Sequence, residues 1–153
     1  MDLTFDTVLL AVGPRDDDRV DRLARAVLQV AKPTGARVVL THVFTDAQYR
    51  QTVEELGYNG PTDTTVEKVL DRHETVRKFE ERFDEHGVDW SVHGVVSDVA
   101  DGIVDLAGQE AADRVFVSGQ RRSPAGKAVF GSTAQEVLLR APCPVTYVRA
   151  DDD

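Results

Sequence analysis

The pattern of apolar and polar positions marks five short strands along the chain. Almost unbroken apolar runs, rich in β-branched residues, are typical of strands that are buried on both faces of a sheet. Such runs predict strands at residues 7–12, 37–44, 88–96, 113–118 and 145–148. The third run alternates between apolar and polar residues more than the others, which favours a place nearer a sheet edge.

Between these runs, apolar residues recur every three or four positions, as they do on a helix with one buried face. The predicted helices cover residues 16–32, 62–86, a stretch opened by Ser97 or Asp98, and 132–140. Residues 45–65 are rich in glycine and threonine, which favours a loop with a short helical turn near residues 53–56.

The order of elements, β-α-β-α-β-α-β-α-β, predicts the fold class. Strands that alternate with helices form a parallel sheet covered by helices on both faces, with right-handed crossovers. We expect one α/β domain at residues 1–150, a three-layer sandwich around a five-stranded parallel sheet, followed by an acidic tail at 151–153. Ligands of such sheets bind at the carboxyl ends of strands, here after Val12, Phe44 and Ser118.

The segment between the fourth strand and the last helix holds most of the candidate chemistry. It contains the glycines and cations Gly119, Arg121, Arg122, Gly126, Lys127 and Gly131, and the helix after it opens with Ser132 and Thr133. Glycines let a backbone approach a ligand, and the free N–H groups of a helix start attract anions. The segment therefore predicts a site for phosphate or another anion. The alternative is that its cations only balance a surface rich in carboxylates, and that Gly131 and Ser132 only cap the helix.

Charge changes this picture in two ways. The 153 residues carry a formal charge of −9, with 18 aspartates to 9 glutamates and 14 arginines to 4 lysines. Acidic residues spread over a surface keep a protein soluble where salt screens its self-repulsion, so the composition predicts a salt-loving source. The alternative is an ordinary acidic cytosolic protein. The same charge argues against non-specific nucleic-acid binding, which depends on neutralising phosphates. Residues 114–135 reverse the balance locally, with four Lys or Arg and no acidic residue.

Other classes of function find little support in the sequence. No apolar run approaches the ~20 residues that span a bilayer, and the first residues are acidic, so we expect a cytoplasmic protein with no membrane partner. His, Cys and carboxylate residues do not have the spacing of a metal site, and no lysine has the spacing of a P-loop. No pair of nucleophile and base is evident either. We therefore expect no bound metal and no enzyme activity.

Several stretches together resemble the universal stress protein family. The resemblance covers nearly the whole chain, through residues 8–12, 40–43, 117–119, 131–133 and 144–148. Members of that family have a five-stranded parallel sheet with four or five helices. Those that bind ATP or AMP do so with a glycine, two residues, a second glycine, nine residues, and then a Gly-Ser or Gly-Thr pair.

The nucleotide motif of that family is matched in part. Gly119 fits the first glycine and Gly131 opens the final Gly-Ser pair, but Arg122 stands at the second glycine and the interval after it is one residue short. Gly126 offers flexibility from a shifted position. Relatives that bind nucleotides also carry an aspartate directly after the first strand, where this chain has Gly13.

The resemblance implies a stress-response or regulatory module that holds an adenine nucleotide, ATP or AMP, without a metal. Its nucleotide site would consist of Val12, Gly13, Val43, Ser118, Gly119, Arg121, Arg122, Gly126, Lys127, Gly131, Ser132 and Thr133. Val43 stands where relatives line the adenine pocket with backbone, or else is a plain core residue. Two alternatives remain open for the function: an interaction protein of the same family that binds no nucleotide, and a slow ATPase.

The last strand adds a prediction about assembly. Val145, Thr146, Tyr147 and Val148 close the chain, so we expect them at a sheet edge, and an exposed apolar edge pairs readily with another copy. Family members commonly dimerise through this strand, so the resemblance implies a homodimer. The alternative is an edge that the acidic tail covers.

Overall fold

The computed structural model describes residues 1–119 and 131–149, which form one sheet with helices on both faces. The strands are β1 (Thr7–Ala11), β2 (Arg37–Phe44), β3 (Trp90–Val96), β4 (Arg114–Gly119) and β5 (Val145–Arg149). The described helices are α1 (Val20–Thr34), α2 (Asp46–Glu55), α3 (Val66–Asp71), α4 (Glu74–Glu85), α5 (Val99–Gln109) and α6 (Ser132–Arg140). Short 3-10 turns at Asp16–Arg19 and Pro61–Asp63 precede α1 and α3. None of these helices combines the length and the apolar composition that a membrane span requires.

The strands are all parallel and lie in the order β3-β2-β1-β4-β5. β1 is central, since Leu10 pairs with Leu40 of β2 on one side and with Phe116 of β4 on the other. The chain therefore builds outward from β1 to β3 and then returns across the sheet to place β4 on the free side of β1. This topology confirms the predicted α/β class, and it puts the reversal of strand order between β1 and β4.

Apolar side chains fill the layer on each face of the sheet. On one face, Leu10 packs in a buried cluster with Phe79 of α4, and on the other face Leu9 packs in a second cluster with Ile103 of α5. Every residue of β1 is buried, which explains why its sequence is almost uniformly apolar rather than alternating. β3, by contrast, is only half-buried, and it lies at the sheet edge that its alternating pattern favoured.

The loop predicted over residues 45–65 is wrong in its first half, where α2 forms. Thr45 Oγ1 accepts a hydrogen bond from Gln48 N at 3.2 Å, and Gln48 Oε1 accepts one from Thr45 N at 3.0 Å. This reciprocal capping box satisfies N–H groups that a helix start otherwise leaves without partners. Only Tyr49 and Val53 of the helix are buried, so its apolar periodicity is too weak to reveal it.

The single helix predicted over residues 62–86 is also wrong, because the structure divides it into α3 and α4. The break falls at His73, whose Nδ1 accepts a hydrogen bond from Val76 N at 3.3 Å and so caps a new helix. Val69 before the break and Phe79 after it are both buried. The apolar stripe therefore continues across the break, and periodicity alone conceals it.

The first helix differs from its prediction at both ends. Residues 16–19 form the tighter 3-10 turn, and α1 begins only at Val20. The start is delayed because the Asp16 side chain is buried in contacts with other elements. The helix then continues to Thr34 and ends at Gly35, whose positive φ of 73° favours glycine.

The contact between α3 and β3 supplies a test of this packing. A methyl group added at Gly94 would lie 2.6 Å from Val66 Cγ2 and 2.9 Å from Leu70 Cδ1, so Gly94→Ala has to push α3 away from the sheet. We expect the free energy of unfolding to fall by about 1–3 kcal/mol, the usual cost of overpacking, as measured by chemical denaturation.

Gly108→Ala in α5 is the matched control, because nothing lies within 4 Å of the added group. Replacing a glycine inside a helix should raise the free energy of unfolding by about 0.5–1 kcal/mol. If Gly94→Ala were as stable as Gly108→Ala, the close packing of α3 on β3 would be wrong.

Candidate functional site

A cavity of about 790 Å³ opens at the carboxyl ends of β1, β2 and β4. It lies where the strand order reverses, which is where open α/β sheets bind their ligands. Its volume falls within the range of small-molecule sites, about 300–1,000 Å³. The loop after β1 forms one wall, the start of α6 forms another, and residues of α2, α3 and α4 form a third.

Most of the residues predicted to bind nucleotide meet in this cavity. Its lining includes Val12, Gly13, Val43, Ser118, Gly119, Gly131, Ser132 and Thr133. The other four predicted residues, Arg121, Arg122, Gly126 and Lys127, lie outside the residues that the structure describes. The sheet topology thus brings together predicted residues from opposite ends of the chain.

The start of α6 lies at this cavity and has features that favour an anion. Gly131 precedes the helix with a φ of +78°, a conformation that favours glycine. No side chain in the described part of the chain caps the helix. The backbone N–H groups of Ser132 and Thr133 have no acceptor within the helix, and they lie at the positive end of its dipole. This arrangement suits a phosphate.

The Asp16 carboxylate joins the loop after β1 to the end of β4. It is 1% exposed. Oδ2 accepts a hydrogen bond from Gly13 N, and Oδ1 accepts one from Ser118 Oγ, both at 2.6 Å. Burial raises the pKa of Asp16, an effect that these hydrogen bonds and the Arg19 guanidinium partly offset.

Two neighbours of Asp16 hold the same 3-10 turn in place. Arg19 Nη1 donates to Gly119 O of β4 at 3.0 Å. Asp17 Oδ1 accepts hydrogen bonds from Thr75 Oγ1 at 3.1 Å and from Lys78 Nζ at 2.8 Å, both on α4. The turn is thereby fixed to β4 on one side and to α4 on the other, which gives the cavity a well-anchored wall.

Asp16 also places a carboxylate near the point, directly after the first strand, where the sequence lacks the aspartate of nucleotide-binding relatives. Its Oδ2 lies 3.4 Å from the position that a Cβ at Gly13 would occupy. A carboxylate is therefore present beside Gly13 after all, supplied three residues later in the chain. It approaches from the turn rather than from the strand end, and its oxygens are already engaged.

His42 and His73 form a second polar feature of the cavity wall, with ring centroids 4.7 Å apart. His42 Nδ1 lies 2.8 Å from Val12 O, and it must donate because a carbonyl oxygen only accepts. Burial lowers the pKa of His42, and it lowers the pKa of His73 to about 4. Both rings are therefore neutral at neutral pH. Across residues 1–119 and 131–149, no group of three or more His, Cys, Asp or Glu side chains is arranged to hold a metal ion.

Comparison with known proteins places the chain in a family. The family model of the universal stress protein family matches residues 4–149. The chain belongs to the universal stress protein family. Among curated proteins, none matches it significantly.

Solved structures of universal stress proteins share the fold. One from Archaeoglobus fulgidus has a TM-score of 0.70 and 26% identity, over 94% of this chain and 98% of that one. The universal stress protein from A. fulgidus in complex with dAMP has a TM-score of 0.65 and 22% identity, over 95% and 99% of the two chains. A family protein from Arabidopsis thaliana with AMP bound has a TM-score of 0.62 and 18% identity, over 97% and 94%.

In this universal stress protein, Gly119 has a packing role that the nucleotide motif does not reveal. A Cβ at this position would overlap the Tyr147 hydroxyl, so the Tyr147 side chain lies directly against the glycine backbone. The motif explains the glycine by the approach of a phosphate. A side chain at Gly119 would therefore have to displace the Tyr147 ring, whether or not a ligand is bound.

Val43 is both a core residue and part of the cavity lining. It is 5% exposed, and a Cβ added at Gly102 of α5 would lie 2.8 Å from Val43 Cγ1. Val43 therefore packs in the core and also borders the cavity. Its contact with a base, which the family resemblance implies, stays a prediction.

Asp16, Arg19 and His73 are among the cavity residues of this family member that the sequence did not indicate. Asp16 and Arg19 were assigned to the start of a helix, and His73 to one position on a long helix. The Gly-Pro pair before Asp16 is a turn signal, and it could have indicated a separate turn at this point. No such signal marks His73, because its place in the cavity depends on how α3 and α4 pack against the sheet.

Replacing Asp16 tests its role as a bridge. In Asp16→Ala, the Gly13 N–H and the Ser118 hydroxyl lose a buried acceptor, and a buried polar group without a partner costs about 1–3 kcal/mol. We expect the free energy of unfolding to fall by that amount in chemical denaturation. Asp18→Ala, at an exposed residue of the same turn, should stay within about 0.5 kcal/mol of the unmodified protein. Equal stability of the two variants would show that the bridge contributes nothing.

Proposed function

We propose that this universal stress protein binds an adenine nucleotide in the cavity at the carboxyl ends of β1, β2 and β4, as a stress-response or regulatory module. The observation that carries the proposal is the start of α6 at the reversal of strand order, which no side chain of residues 1–119 or 131–149 caps. A helix start of this kind holds phosphate. Apolar lining at Val12, Val43 and Ile103 supplies a surface against which a base can pack.

In this proposal, the phosphates lie at Gly131, Ser132 and Thr133, with Ser118 and Gly119 at the end of β4 beside them. The segment that follows Gly119 contributes Gly126 and the cations Arg121, Arg122 and Lys127. Arginine contacts phosphate in bidentate fashion, so Arg122 compensates by charge for the glycine it replaces in the motif. The base and ribose lie toward Val12, Gly13 and Val43.

The solved relatives support this class of ligand. The A. fulgidus protein was solved in complex with dAMP, and the A. thaliana protein with AMP bound. Both ligands are adenine nucleotides with a single phosphate group. AMP is therefore the first ligand to test, with ATP and cyclic AMP beside it.

Equilibrium binding of AMP, ATP and cyclic AMP at high salt tests the proposal. Gly131→Val forces a β-branched side chain into a positive φ at the start of α6 and so displaces the N–H groups that hold the phosphate. We expect binding to weaken by about 10-fold, equivalent to about 1.4 kcal/mol. Arg122→Glu, which reverses one charge of the adjacent segment, should weaken it as well.

Gly87→Val is the matched control, since Gly87 also has a positive φ, 67°, but lies at the end of α4 away from the cavity lining. It carries the same backbone strain and should leave the affinity unchanged. The proposal fails if the unmodified protein shows no saturable binding of any of the three nucleotides.

We propose binding without catalysis. The sequence lacks a P-loop lysine, and the Asp16 carboxylate already accepts two hydrogen bonds and is 1% exposed. It is therefore poorly placed to act as a general base. After long incubation with ATP labelled on its terminal phosphate, the label should remain triphosphate, and release of labelled phosphate would instead support the slow ATPase.

We also propose that the protein forms a homodimer through β5. β5 is an edge strand of the sheet, and residues 145–148 are half-buried in the single chain. Leu138 and Leu139 of the preceding helix are 40% and 78% exposed. An edge strand beside exposed apolar side chains favours association with a second copy.

Sedimentation at several concentrations tests the dimer. The unmodified protein should have a mass near twice the 16.8 kDa of the chain, and Leu139→Lys should shift it toward the monomer. Leu3→Lys is the control, because Leu3 is equally exposed, at 80%, but lies near the N-terminus. A monomer at every concentration would contradict the proposal, whereas a dimer that binds no nucleotide would favour the interaction protein.

The remaining sequence-based expectations stay predictions: a cytoplasmic location, a salt-loving source, no nucleic-acid partner, and a single domain at residues 1–150 with an acidic tail.

A further inference from the structure

The loop after β1 presents a cation to the cavity from a fixed backbone. Asp16 N donates a hydrogen bond to Gly13 O at 3.3 Å, which closes a turn. Pro14 is the second residue of this turn, where a type I turn favours proline. Arg15 is the third, and its φ of −108° and ψ of 12° are close to those of that position. The Asp16 carboxylate also accepts from Gly13 N, so the turn is held by two hydrogen bonds.

Arg15 differs from the other arginines of the cavity lining, Arg19 and Arg72, in having no partner among the described residues. Arg19 Nη1 donates to Gly119 O at 3.0 Å, and Arg72 Nη1 donates to Leu56 O at 3.3 Å. Arg15 is exposed, and its guanidinium makes no hydrogen bond or ion pair with any residue that the structure describes. It is therefore available to an anion in the cavity.

The carboxylates next to Arg15 in the chain are already engaged. Asp16 accepts hydrogen bonds from Gly13 and Ser118, and its Oδ1 lies 3.6 Å from Arg19 Nη1. Asp17 Oδ1 accepts from two side chains of α4. The positive charge of Arg15 is thus left for a ligand, although the chain as a whole is acidic.

The cavity therefore has two features that suit an anion, and they lie on different walls. The start of α6 belongs to one wall, and Arg15 belongs to the wall that the loop after β1 forms. A guanidinium contacts phosphate through two parallel hydrogen bonds. In the proposed nucleotide site, the single phosphate of AMP occupies the start of α6, so AMP has no anionic group left for Arg15.

The ribose is the part of the nucleotide that lies nearest to this loop. In the proposed site it lies toward Val12 and Gly13, and Arg15 follows Gly13 by two residues. In sheets that bind dinucleotides, a carboxylate beside the ribose binds its free hydroxyl, whereas an arginine there accommodates a phosphate on that hydroxyl. The loop after β1 has the charge of the second kind.

We infer that the preferred ligand is an adenosine nucleotide with a second phosphate, carried on the 2′ or 3′ hydroxyl of the ribose, and that Arg15 binds this phosphate. The 5′-phosphate stays at the start of α6. The inference rests on the proposed nucleotide site, and it adds to that site a second anion-binding position and a class of ligand.

The ligands that test the inference are AMP, adenosine 2′,5′-bisphosphate, adenosine 3′,5′-bisphosphate and ADP. ADP is an isomer of the two bisphosphates with both phosphates at the 5′ position, so it shows whether a second phosphate suffices wherever it is attached. We expect the unmodified protein to bind one of the bisphosphates about 10-fold more tightly than AMP, the effect of a hydrogen bond between charged groups. Calorimetry at one salt concentration measures the four affinities.

Replacing Arg15 shows whether it causes this preference. Arg15→Gln removes the charge and should bind the favoured bisphosphate and AMP equally. Arg15→Lys keeps the charge but loses the paired donors of the guanidinium, so it should retain part of the preference. Arg25→Gln is the matched control, because Arg25 is also exposed and has no partner in the described part of the chain, but lies outside the cavity lining. It should retain the full preference.

The outcomes separate the inference from the proposed function. Equal binding of AMP and both bisphosphates by the unmodified protein overturns the inference and leaves nucleotide binding in place. A preference that survives in Arg15→Gln does the same, and so does a loss of affinity in that variant for ADP rather than for the bisphosphate. Absence of saturable binding of all four ligands overturns both. Circular dichroism verifies that the variants are folded, and if Arg15→Gln is not, Arg15→Lys decides.

Discussion

The buried Asp16 carboxylate links the loop after β1 to the end of β4 through two hydrogen bonds. At a reversal of strand order, the connections from neighbouring strands leave toward opposite sides, so the loops at this end have no shared helix to hold them together. Asp16 connects them, because its carboxylate accepts hydrogen bonds from Gly13 N on one side and from Ser118 Oγ on the other. Burying a charge is costly unless it is hydrogen-bonded, and the raised pKa of Asp16 reflects that cost.

The backbone at the end of β1 shows how this arrangement pre-organises the cavity. Val12 N donates to Thr41 O of β2, Val12 O accepts from His42, and Gly13 N donates to Asp16. With these groups all engaged, the loop has few ways to rearrange. Side chains held in this manner keep one orientation and one protonation state. Little conformational entropy is therefore lost when a ligand binds.

Gly119 shows why a motif is a weaker guide than the contacts of its residues. This glycine fits the first position of the nucleotide motif, and it lines the cavity. The structure gives it a second reason to lack a side chain, the close approach of Tyr147 from β5. Both requirements lead to a glycine, so the sequence cannot separate them. At Gly13, where the family motif has an aspartate, the structure instead supplies a carboxylate from Asp16 in the following turn.

The sequence by itself determined the alternation of strands with helices, the parallel α/β sheet and the burial of β1 on both faces, because each follows from local periodicity and apolar composition. Tertiary structure alone decided the rest. Asp16 became a bridge rather than a helix cap through a contact with Ser118, 102 positions away. His73 divides a predicted helix and contacts His42 because α3 and α4 pack on the same face of the sheet. These placements depend on which distant segments the sheet brings together, and no local pattern in the chain records that.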